Sequence, residues 1–115
     1  MTIEQVNQQI KSGKLERETL LFILKNIRTI RGQAATAINP AAREAAMNIW
    51  QYVQCLLELL PEDEEDALHA LYVENKPWVE TETSMHISRN TLGRRRKMAV
   101  QRMLDMANGT MEAFS

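Results

Sequence analysis

The sequence predicts an all-α fold, and three observations carry that prediction. Apolar residues recur at three- and four-residue spacings along most of the chain. Helix start signals stand in front of several of these stripes. Four Gly and three Pro in 115 residues leave little room for a loop-rich or all-β architecture. The length suffices for one domain with a real core, whereas two cores would each be marginal.

The elements follow in order. Thr2 with Gln5 three residues on is a capping box, and Ile3, Val6 and Ile10 then share a face, so a helix is expected over residues 2–11. Ser12-Gly13 stops it. A second helix, over residues 16–31, stacks Leu20, Ile23, Leu24, Ile27 and Ile30, with Gly32 as the expected terminator and residues 33–38 as a connection. Asn39-Pro40 is a strong start: an N-cap side chain, then a proline whose missing N–H costs nothing at the first helical position. The helix over residues 40–60 carries a stripe of Ala46, Ile49, Val53, Leu56 and Leu60, widened by Trp50 and Leu57. Pro61 opens the next helix, expected over residues 61–74. Its acidic run, Glu62 to Asp66, meets the positive end of the helix dipole and reads as a solvated start. Leu68, Leu71 and Tyr72 give that helix its apolar side.

The most informative stretch runs from Tyr72 to Met103. It reads as a helix over residues 78–85, a short turn, and a second helix over residues 89–107 opened by Ser88 as N-cap. No Asp or Glu occurs between Thr83 and Leu104, although the whole chain has a net charge of −1. On a wheel of about 100° per residue, Leu92, Ala99, Met103 and Met106 cluster toward a core. Asn90, Arg94, Lys97 and Gln101 take the opposite side, with Arg95 and Arg102 on a flank between. The expected architecture is therefore a helical bundle with a C-terminal helix-turn-helix. In such a motif the start of the second helix reaches base edges while flanking cations hold phosphates. Arg89, Asn90 and Arg94 are the candidate base readers, because Arg and Asn suit bidentate pairing with guanine and adenine. Ser88, through its helix N-terminus, with Arg95, Lys97 and Arg102, are the candidate phosphate contacts.

The segment resembles the C-terminal helix-turn-helix of sigma-70-type factors (their region 4). It is closer still to small phage-associated transcription regulators of the ArpU and RinA type. The resemblance rests on Tyr72-Val73-Glu74, Trp78, Ile87-Ser88, Thr91-Leu92, Ala99 and Met103, and covers about thirty residues without gaps. It implies a DNA-binding transcriptional regulator of phage or prophage origin. The chain departs from the pattern at Thr81 and Glu82, at His86 where glycine is usual, at Gly93 inside the second helix, and at Arg96. Glu82 is expected to pair with Arg95 or Arg96.

Residues 1–60 are expected to be a helical platform for dimerisation or partner contact, residues 61–107 the DNA-binding segment, and residues 108–115 a flexible tail. Double-stranded DNA is the expected partner, with RNA polymerase as a second candidate, and the residue 40–60 helix is expected to pair two copies into a homodimer. The alternative is a protein-interaction module whose degenerate helix-turn-helix does not bind DNA. In a DNA reader the face of Asn90, Arg94, Lys97 and Gln101 stays uncovered; in the alternative it is covered or neutralised by the acidic run. His69, His86 and Cys55 lack metal-ligand spacing, and no Gly-rich phosphate loop or nucleophile set is present. No enzyme activity, cofactor, metal or small-molecule substrate is expected. Cys55, Trp50 and Met98 read as packing residues, and Trp78 as a staple between the motif helices. No apolar run is long enough to span a membrane, so the cytoplasm is the expected compartment.

Overall fold

Thr2 caps the first helix as its sequence requires. Its Oγ1 accepts from the Gln5 N–H at 3.2 Å, and Gln5 Oε1 accepts from the Thr2 N–H at 2.9 Å. The computed structural model describes residues 1–109, and within them the chain forms seven α-helices, one π-helical turn and no strand. The helices are α1 (Ile3–Ser12), α2 (Arg17–Lys25), α3 (Ile27–Thr36), α4 (Pro40–Glu58), α5 (Glu62–Leu68), α6 (Trp78–Met85) and α7 (Arg89–Ala107); the π turn (His69–Val73) extends α5. None of the described helices is long and apolar enough to cross a membrane.

Gly13 closes α1 at φ 75°, with its own N–H on the Ile10 carbonyl and the Lys14 N–H on that of Gln9, the paired bonds of a Schellman cap. The single helix expected over residues 16–31 is instead two. Asn26 sits between α2 and α3 at φ −111°, well off the helical value, and its side-chain amide donates at 2.8 Å to the Phe22 carbonyl that its own N–H also reaches at 3.1 Å. Nor does Gly32 stop α3, which continues to Thr36 because Ala34 beyond it is drawn into the contact with α4. Part of the expected connection is therefore helix. Asn39 caps α4 as expected, its Oδ1 accepting from Ala41 and Ala42.

The α4 stripe is spent inside the chain. Ala46, Ile49, Val53, Leu56, Leu57 and Leu60 are all buried, chiefly against α3 and α1. Trp50 is only half-covered and carries the Arg31 guanidinium 5.4 Å from its ring centre. Cys55, expected in the core, is exposed. At about 100° per residue it stands on the far side of α4 from Val53 and Leu56.

Two apolar clusters result. The larger joins α1 to α4 with Leu68, Val73, Ala99, Val100, Met103 and Leu104, so the core crosses residue 60 without a break. The smaller, Ala67, Leu71 and Leu92 with Tyr72, Trp78, Met85 and Ile87 around them, holds α6 against α7 and the π turn. At the far end of α7, Asn108 clasps Leu15: its Oδ1 accepts from the Leu15 N–H at 2.7 Å and its Nδ2 donates to the Leu15 carbonyl at 3.0 Å. Of the tail expected over residues 108–115, Asn108 is thus anchored, and residues 110–115 lie outside the described part of the chain.

Candidate functional site

α6 and α7 fall on their expected bounds, joined by His86, Ile87 and Ser88. His86 takes the left-handed conformation (φ 56°), and its N–H bonds the Thr83 carbonyl while the Ile87 N–H bonds that of Glu82. A histidine thus performs the Schellman closure for which glycine is the usual choice, within the enrichment of His among non-glycine residues at positive φ. Ser88 is the N-cap of α7, its Oγ accepting from the Thr91 N–H at 3.2 Å. Thr81 is fully buried in the middle of α6, its hydroxyl satisfied by the Pro77 carbonyl at 3.0 Å. Two departures from the motif pattern are thereby accommodated locally.

α7 is anchored on its apolar side by Leu92, Ala99, Val100 and Met103, each at most 1 % exposed. Met106 packs partly buried, but Met98 is 49 % exposed and is no packing residue. On the opposite side Asn90, Arg94 and Lys97 are exposed, and their side chains make no hydrogen bond or ion pair with any of the described residues. Gln101, the fourth residue of that face, is engaged: it accepts from Arg17 of α2 and donates to Asp105 at 3.0 Å. Arg17 therefore joins the α7 surface from a distant helix, which no spacing in the sequence indicates.

The flank differs from expectation. Arg102, read as a phosphate contact, gives both Nε and Nη2 to the two oxygens of Glu64, at 3.0 and 3.2 Å. Glu64 is 5 % exposed, so this pair is a strut between α5 and α7 rather than a free cation. Hydrogen bonding and the charge of Glu64 raise the Arg102 pKa above the usual guanidinium value, keeping it protonated. Arg95, the other flank cation, lies 3.7 Å from Asp63. The acidic run thus neutralises Arg95 and Arg102 but leaves Arg94 and Lys97 untouched. The wheel carried a signal for Glu64: it shares its face with Ala67, Leu68 and Leu71 at helical spacing.

Trp78 is the hub of the α6–α7 contact, with Arg89 and Arg96 each 5.8 Å from its ring centre. Arg96 also donates to the Tyr72 hydroxyl at 3.1 Å, which explains a cation where the motif pattern is apolar. Glu82 pairs with Arg89, not with Arg95 or Arg96 as expected, because the turn brings the first residue of α7 back beside α6. A Cβ at Gly93 would lie 4.0 Å from Trp78 Cζ3, an ordinary contact. Gly93→Ala is therefore expected to stabilise the protein by about 0.5–1 kcal/mol through helix propensity. Thermal unfolding checks it, and a lowered midpoint would show that the site needs glycine.

No protein-family model, curated protein or solved structure matches the chain.

Proposed function

We propose that the protein is a DNA-binding transcriptional regulator in which α6 and α7 act as a helix-turn-helix, α7 entering the major groove. The observation that carries this reading is the outward face of α7: among the described residues, Asn90, Arg94 and Lys97 stand uncovered and unpaired on a helix whose back is locked into the core. Arg89, Asn90 and Arg94 lie in its first two turns and take the base-reading role. Lys97 and the Ser88-capped N-terminus take phosphates, with Arg17 close by. Phage or prophage origin and contact with RNA polymerase belong to the same proposal through the motif resemblance alone. If two copies read paired half-sites, another surface must join them, since the α4 stripe is used within the chain.

A protein-interaction module is the second reading, and one observation favours it. Residues 61–107 hold seven Lys/Arg against nine Asp/Glu, so the segment is net negative despite the basic stretch of α7. Long-range attraction to DNA is correspondingly weak. The two readings separate in a titration of random-sequence duplex DNA at two salt concentrations. With only two to three cations free to meet phosphates, the DNA reading expects a slope of log K against log salt of about −2 to −3. No binding at low salt would leave the interaction module.

A further inference from the structure

The most specific arrangement on the proposed reading face is a fixed arginine. Arg89 projects from the first turn of α7 with its side chain 61 % exposed, whereas the Glu82 side chain beside it is only 21 % exposed. Glu82 Oε2 accepts from both Nε and Nη2 of Arg89, each at 3.3 Å, and the guanidinium rests 5.8 Å from the centre of the Trp78 ring. A guanidinium has two edges that can fork onto a planar acceptor pair. Glu82 occupies the Nε/Nη2 edge. The Nη1/Nη2 end is left, turned away from the carboxylate that holds its neighbour.

Given DNA as the ligand of α7, the reading proposed above, we propose that Glu82 is a positioning residue that presents the Nη1/Nη2 fork of Arg89 to the O6 and N7 of one guanine. An unheld arginine must give up several side-chain rotamers on binding, and it can equally swing to a phosphate. Glu82 and Trp78 remove much of that freedom beforehand. The carboxylate also repels phosphate, so the held arginine is steered from the backbone toward a base. Glu82 thus serves discrimination at the expense of overall attraction, which explains an acid in α6 beside a surface that meets a polyanion.

The test uses the full chain. The wild type first selects a preferred site from random-sequence duplex. The wild type and its variants are then titrated onto that site, its single-base variants and random duplex. Glu82→Ala is expected to bind random duplex as well as the wild type or better, yet to lose about tenfold in discrimination at one G·C pair. Arg89→Ala should lose discrimination at the same pair, and adding Glu82→Ala to it should change nothing further there. Arg89→Lys should not restore it, since an ammonium has no fork. Glu82→Gln, which keeps an acceptor without the charge, should retain part of it and guards against a folding defect in the alanine variant. If Glu82→Ala binds all duplexes equally better or equally well with discrimination intact, Glu82 is an ordinary surface ion-pair partner and the inference fails alone. A wild type that binds no duplex at low salt overturns the DNA reading itself, before any variant is compared.

Discussion

Arg102→Ala is expected to destabilise the protein by about 2–3 kcal/mol, because it leaves the carboxylate of Glu64 buried without its partner. Both Glu64 oxygens depend on that guanidinium, and the residue is 5 % exposed, so water cannot readily replace the two bonds. The range sits below that of a wholly buried pair because the Arg102 side chain keeps 33 % of its exposure. A fall of roughly 10 °C in melting midpoint is expected for a domain of this size. Glu64→Gln should cost less, since a neutral acceptor remains and the arginine can turn to solvent. Replacing both residues by apolar ones of similar volume should recover most of the loss. Calorimetry of the three variants decides the matter: equal small losses for both single changes would mean that the pair is no strut.

Arg94→Ala and Lys97→Ala are expected to separate reading from holding. Arg94 stands near the start of α7 on its uncovered face, so its loss should cost about 1–3 kcal/mol at the preferred site and relax discrimination there. Lys97 lies one turn nearer the middle of the helix. Lys97→Ala should weaken binding to all sequences alike and shrink the salt slope by about one unit. Neither side chain touches the core, so both variants should keep wild-type helicity. Equal losses on specific and random duplex for the two variants would remove the base-reading role from Arg94.

The features legible in the sequence were those set by neighbours along the chain. The capping box of Thr2, the Asn39-Pro40 start, the Ser88 cap and the apolar back of α7 all stand as read, because each depends on residues within a turn or two. What sequence reasoning missed was decided by contacts at long separation. Gly32 looks like a stop, yet α3 runs through it to bring Ala34 onto α4. The acidic run looks solvated by its charge, and although Glu64 shares a face with Ala67, Leu68 and Leu71, the partner that turns it inward is Arg102, thirty-eight positions away. Cys55 is a different case: the periodicity already placed it outside, and only its apolar neighbours suggested otherwise. At the candidate site, the exposure of Asn90, Arg94 and Lys97 followed from the wheel. The partners of Arg89, Arg95 and Arg102 did not, since a wheel describes one helix and those pairs join two.

The clasp between Asn108 and Leu15 bears on how the molecule comes into being. Asn108 leaves the ribosome ninety-three residues after Leu15, so the ring they close stays open through all of the intervening synthesis. In that interval α1 to α4 lack Ala99, Val100, Met103 and Leu104, the side chains that α7 contributes to the shared core. A nascent chain halted before α7 is therefore an incomplete bundle with part of its apolar core facing water, a form that cellular proteases and chaperones recognise. The helix assigned to touch DNA also completes the core of α1 to α4, so a fragment lacking it is expected to be short-lived.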